Sequence, residues 1–210
     1  MEIHTIVSDI VFENAYVAWL PERTDAVVVD PGLDAESILD FLEQRGLALA
    51  AILNTHGHGD HIAGNAAMKH AFPQAPLIIG ANDAPMLADA QANLSAALGF
   101  PITSPPADRT VVEGDAVEAA GMTFEVYEIP GHSRGHVVYL YRGTPYRVFG
   151  GDVLFRGGVG RFDFPGGSQE ALFGGIRKKL FTLPPDTVVY PGHGPVTTVG
   201  HEKQTNPFLA

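Results

Sequence analysis

"THGHGDH", residues 55–61, packs three histidines and an aspartate into seven positions with glycine as the only spacer. Glycine disfavours a helix there through its backbone entropy, and the stretch has no apolar side chains to give to a core. It follows Ala50-Ala51-Ile52-Leu53, an apolar run that reads as a short buried strand. The stretch is therefore a loop at the C-terminal end of a strand, dense in side chains that ligate metals.

Working outward, further apolar and β-branched runs recur at 3–7, 15–20, 26–30, 76–80, 122–129, 136–141, 146–151 and 187–190. Helical patterns lie between them at 34–45, about 62–72, 83–98 and 168–181. The first carries Ile38, Leu39, Phe41 and Leu42, with Gly46 as its stop signal. Strands in groups with helices interspersed predict an α/β protein built of sheet and helix layers. The proline-rich "FPITSPPADRT" (100–110) is the best linker, yet composition is similar on both sides. It reads as a connection inside one domain spanning residues 1–210, a length that buries roughly 70% of the unfolded surface.

Four of the strand runs end in a ligating side chain next to glycine. Besides the run into His56, His58, Asp60 and His61, "FEVYEI" leads to Gly131-His132, "YRVFGG" to Asp152, and "TVVY" to Gly192-His193. Sites in layered α/β folds gather at the carboxyl ends of strands, so these loops can converge. Five histidines and two aspartates exceed the four ligands of one tetrahedral ion, and they suit two metals sharing a carboxylate. Nitrogen and oxygen ligands predict two divalent ions, zinc first, with iron or manganese as alternatives. His4, His70 and His201 lie outside any such context.

The formal charge of −11 argues against nucleic acid or an anionic membrane as partner, because both call for a basic footprint. It leaves room for a small anionic substrate steered by a few local cations. No apolar run approaches the ~18 residues of a membrane span, and "MEIHTIVSDIVF" lacks a basic leader region, so the expectation is a cytoplasmic protein. There is no cysteine and no Gly-x-Ser-x-Gly elbow, which leaves a covalent acyl-enzyme little support.

"THGHGDH" followed by "PGHSRGH", "GGD" and "PGH" resembles the signature of the metallo-β-lactamase superfamily. Within it, "HSRGH" (132–136) and "GDVLFRGGVGRFDF" (151–164) are most similar to glyoxalase II, the hydroxyacylglutathione hydrolases, in a single-domain subgroup. The resemblance implies an αββα sandwich of two mixed β-sheets with outer helices. It implies one metal on His56, His58 and His132, a second on Asp60, His61 and His193, and Asp152 bridging them. Asp30 matches an aspartate that supports the metal loop, and His136 a histidine with a structural role.

Two departures stand out. The C-terminal helical domain that contacts glutathione in that family is not expected here, and the glutathione-binding tyrosine position is Pro195. A basic residue remains in the central loop at Arg161, expected to bind an anionic substrate group. The implied reaction is hydrolysis of a small anionic thioester such as S-lactoylglutathione, by a hydroxide bridging two metals and oriented by Asp60. A thiolate leaves readily, since a cysteine-like thiol has a pKa of about 8.5. The rivals are a mono-iron persulfide dioxygenase using His56, His132 and Asp152, a lactonase with the same metal chemistry, and a non-catalytic metal-binding scaffold.

Overall fold

Val27 and Val29 alternate with Ala26 and Val28, and all four are buried. A strand can be apolar on both faces only where both faces are covered, and that condition sets the architecture. The computed structural model describes residues 1–209, with Leu98 described by its backbone alone. Its first sheet runs in the order β1 (Glu2–Val7), β2 (Asn14–Trp19), β3 (Asp25–Val29), β4 (Ala48–Leu53), β5 (Leu77–Gly80) and β6 (Arg109–Val111). The second contains β7 (Ala116–Ala119), β8 (Met122–Glu128), β9 (Val137–Tyr141) and β10 (Arg147–Gly151). A small hairpin of β11 (Leu154–Phe155) and β12 (Gly158–Val159) follows, and β13 (Val188–Pro191) and β14 (Thr197–Thr198) complete the second sheet, whose order is β14-β13-β10-β9-β8-β7.

Both sheets are mixed. β3, β4, β5 and β6 pair in parallel, as do β10 and β13, while the remaining pairs are antiparallel. Val27, Val29 and Leu53 of the first sheet meet Phe124, Tyr139 and Phe149 of the second in a shared core. On its other face the first sheet packs Val28, Ile52 and Leu77 against Ile38 and Leu42 of α1 (Ala35–Arg45), Ile62 of α2 (Gly59–Ile62) and Met68 of α3 (Asn65–Ala71). The second sheet covers Val138, Leu140 and Val148 with Leu172 of α4 (Gln169–Gly175) and with Ile176 and Leu180 of the wide π-type turn that continues it. This is the αββα sandwich expected from the resemblance.

α1 ends where expected, with Gly46 in the left-handed conformation at φ 63°. The helical pattern at 83–98 resolves differently. It forms two short 3₁₀ segments, Ala84–Ala88 and Ser95–Leu98, separated by turns. Local polar side chains outcompete a continuous helix: Asp89 accepts from the backbone of Gln91 and Ala92, and the Asn93 amide donates to Met86 and Ile102. A final helix, α5 (Val199–Thr205), lacks a long apolar stripe and escapes the periodicity; the Thr198 hydroxyl caps it at the His201 N–H, 3.2 Å away. Among the described residues, no helix is long and apolar enough to cross a membrane.

Candidate metal centre and its pocket

The ligating loops all leave the same edge of the sandwich. His56 and His58 follow β4, Asp60 and His61 lie on α2, His132 follows β8, Asp152 follows β10 and His193 follows β13. The structure brings all seven together. His56, His58 and His132 place one ligand atom each within 4.8 Å of one another, and Asp60, His61 and His193 do the same. Asp152 lies between the clusters, 3.4 Å from His132 Nε2 through Oδ2 and 3.5 Å from His61 Nε2 through Oδ1. The approach is tight: a Cβ on Gly192 would collide with Asp152 Oδ1 and His61 Cε1, so only glycine fits before His193.

Hydrogen bonds to the far ring nitrogens set which nitrogen faces inward. Asp30, at the end of β3, accepts from the Thr55 N–H and hydroxyl, both at 2.7 Å, and from His61 Nδ1 at 3.1 Å. Because the Thr55 proton goes to Asp30, its oxygen is left to accept from His56 Nδ1 at 3.1 Å. His56 Nε2 then presents its lone pair to the cluster. His132 Nδ1 donates to the Arg161 carbonyl at 2.8 Å and His193 Nδ1 to the Phe12 carbonyl at 3.2 Å. His136 Nε2 accepts from the Asp152 N–H at 3.1 Å, and its ring stacks on His56 at 4.7 Å. Asp30 thus fixes the His61 ring, and His136 holds the backbone of Asp152. Asp30 also falls within a triangle with His56 and His61, but its oxygens are committed to Thr55 and His61.

Two buried acids escaped the sequence reading. Asp83 accepts from the Gly57 N–H at 3.1 Å, the Ser133 hydroxyl at 2.6 Å and the Gly135 N–H at 2.6 Å, tying the loop of His58 to the loop of His132. Nothing adjacent in sequence marks it, because its partners are 26 to 52 residues away. Glu13 is buried with Oε1 at 4.0 Å from His61 Nδ1, and burial pushes its carboxyl well above the usual range.

The donor set fits a pair of divalent cations. His61 Nε2, His132 Nε2 and Asp152 Oδ1 are buried without a hydrogen-bond partner, although such atoms cost roughly 1–3 kcal/mol each when left unpaired. The two nitrogens each face one oxygen of the Asp152 carboxylate. Burial holds His56 well below its ordinary pKa and brings His58 down to about 3, so both stay neutral with lone pairs available. Burial opposes a charge on His61, yet Asp60, Asp152 and Asp30 together push its pKa well up. Burial likewise disfavours charge on Asp60, and His61 and His193 outweigh it, holding that carboxyl below its usual range. The carboxylates call for positive charge at this spot, which divalent ions supply.

Beside the donors opens a cavity of about 550 Å³. His58, Asp60, His132, Asp152 and His193 form one wall, and Val11, Leu94, Phe155, Val159 and Phe164 face them. Arg161 lies at the rim. Its guanidinium is held by Asp163 in two 2.9 Å hydrogen bonds and rests over the Phe164 ring at 4.2 Å.

A family model described as "Metallo-beta-lactamase superfamily" matches residues 9–193. The chain is 37% identical over 200 residues to hydroxyacylglutathione hydrolase GloC of Haemophilus influenzae, covering 94% of this chain and 92% of that protein. Among solved structures it is similar to the BLEG-1 B3 metallo-beta-lactamase, with a TM-score of 0.95, 38% identity and complete coverage of both chains. It is also similar to TTHA1623 in a di-iron-bound form, with a TM-score of 0.85 and 40% identity over 98% of this chain and 100% of that one.

Proposed function

Because the chain belongs to the metallo-beta-lactamase superfamily and is a metal-dependent hydrolase, we propose that it hydrolyses small thioesters of the S-lactoylglutathione kind. One observation carries the choice of thioester. Outside the metal donors, the only titratable residue lining the cavity among the described residues is Arg161, which is no acid at neutral pH. A leaving group there departs without a proton. A thiolate does so readily and an amine does not.

When bound, a pair of divalent ions lowers the pKa of water and polarises a carbonyl. The chain supplies the rest. Asp152 joins the two donor clusters and fixes their spacing. Asp60, with Oδ2 at 3.4 Å from His193 Nε2 and its charge retained, orients the attacking water by accepting its proton in a hydrogen bond. The apolar wall of Leu94, Phe155 and Val159 excludes bulk water from the reacting carbonyl. The Ser133 hydroxyl is directed to Asp83 and is not an activated nucleophile. The likeness to BLEG-1 favours β-lactam hydrolysis as a second reading, but that reaction must protonate an amine.

The test is a panel run with metal analysis of the same sample: S-lactoylglutathione, a shorter S-lactoyl thioester, a lactone, a β-lactam, and oxygen uptake with glutathione persulfide. Thioester cleavage at a metal content near two per chain is expected. Oxygen uptake without thioester cleavage overturns the reading. The glutathione arm should matter little, because Pro195 stands at the tyrosine position and strong discrimination depends on polar partners for the substrate. The two thioesters should agree in kcat/KM within about tenfold, and a preference above about a hundredfold for glutathione would refute that expectation.

Arg161→Ala should raise KM for an anionic thioester only about twofold to fivefold with kcat retained, the pattern of lost uniform binding. The effect is small because an incoming anion competes with Asp163 for an exposed guanidinium. A loss confined to kcat would contradict a binding role.

A further inference from the structure

A second cavity, of about 380 Å³, opens beside the first and shares His58, Leu94 and Phe164 with it. The two differ in chemistry. Val11, Phe155 and Val159 line the first, whereas Asn82, Gln91 and Arg134 line the second. Phe164 stands between them, edge-on to His58 at 5.4 Å and to His132 at 5.7 Å. The second cavity therefore reaches the metal donors at His58, beside the Phe164 ring that it shares with the first.

Arg134 is exposed, and among the described residues its guanidinium makes no ion pair and donates no hydrogen bond. The guanidinium groups of Arg23, Arg142 and Arg161 are each closed by a carboxylate. Arg134 is nevertheless held in place. Its stem lies across Gly166, at φ 88°, where a Cβ would collide with Arg134 Cγ and Nε. The turn carrying Gly166 is closed by the Gly167 N–H donating to the Phe164 carbonyl at 2.8 Å. Arg134 also belongs to the loop of His132, so its position is coupled to the metal centre. Asp83 lines the same cavity, but it is fully buried and its oxygens accept from Gly57, Ser133 and Gly135.

We propose that this second cavity is a substrate compartment for a carboxylate-bearing arm, which Arg134 binds through its planar fork while Asn82 and Gln91 offer side-chain amides. A free guanidinium matches a carboxylate in two parallel hydrogen bonds, a geometry that lysine lacks. The apolar arm of the same substrate lies in the first cavity. The inference rests on the thioester reading only for the identity of the reacting bond.

The experiment compares S-lactoyl 6-mercaptohexanoate with its primary amide on metal-loaded wild type, Arg134→Ala, Arg134→Lys and Arg161→Ala. Arg134→Ala should raise KM for the carboxylate about fivefold to tenfold with kcat retained and leave the amide unchanged. Arg134→Lys should recover part of the loss, and Arg161→Ala should have the smaller effect. Equal changes on both arms, or none on the carboxylate, overturn the assignment. Equilibrium titration with 6-(methylthio)hexanoate and its amide reads the same compartment without hydrolysis. If wild type cleaves neither thioester, the thioester reading fails. The compartment then stands if the carboxylate binds more weakly to Arg134→Ala, and falls if the two proteins bind it alike.

Discussion

Asp152→Ala should purify without either metal and without measurable hydrolase activity. Its carboxylate reaches both halves of the site: Oδ2 lies 3.4 Å from His132 Nε2, and Oδ1 lies 3.5 Å from His61 Nε2. Neither of those nitrogens has a hydrogen-bond partner, and Asp152 is the carboxylate that lies near both. Removing a group that only supports a ligand costs about 10–100-fold in metal affinity or activity, and losing the shared carboxylate should exceed that range for both ions. Metal-stripped wild type is the melting reference that separates lost metal from lost fold. His4→Ala is the control expected to change neither activity nor metal content, because His4 stacks on Phe41 at 4.0 Å, away from the metal donors. Metal content near two per chain in the Asp152→Ala protein would rule out the bridge.

The second large effect is expected at Asp83, which binds no metal. Asp83→Ala strands the Gly57 N–H, the Ser133 hydroxyl and the Gly135 N–H, which are buried donors in two loops. Water entering from the neighbouring cavity offsets part of this, leaving a loss of about 2–4 kcal/mol. For a domain of this size that lowers Tm by about 5–15 °C. The metal effect should be lopsided. Asp83 ties the loops of His58 and His132, so the ion on His56, His58 and His132 should weaken by about 10–100-fold while the ion on Asp60, His61 and His193 is retained. Chelator titration followed by metal analysis distinguishes the two ions. Equal weakening of both would show that Asp83 does not act through those loops.

The contrast between these two residues marks what the sequence alone reveals. Asp152 was legible because strand, glycine and ligand stand next to one another in "YRVFGGD", a local pattern repeated at His56, His132 and His193. The layered α/β class, the long strands and α1 were legible for the same reason: apolar period and stop signals act over neighbouring residues. Asp83 was not legible, since every partner that gives it a role arrives from a distant loop. The segment 83–98 misled for a related reason. Its apolar spacing fits a helix, but Asp89 and Asn93 spend their hydrogen bonds on nearby backbone groups, and Ile102 brings Asn93 a partner from beyond the segment.

Arg161 and Arg134 show the same division at the substrate end. Both are basic residues near a ligand motif, and Arg161 drew attention through its glycine-rich surroundings. Only the folded chain pairs Arg161 with Asp163 and leaves the Arg134 guanidinium open beside His58. The candidate metal donors and the layered α/β class were legible in the sequence, because strand, glycine and donor are neighbours along the chain, while the αββα arrangement was an expectation from the family resemblance. The tertiary structure decided which nitrogen of His56, His61, His132 and His193 faces inward, that Asp83 joins Asp30 in supporting the loops, and that the Arg134 guanidinium is open where that of Arg161 is paired. Those properties depend on partners brought together across the sandwich, and hydrogen bonds and ion pairs act through space rather than along the chain.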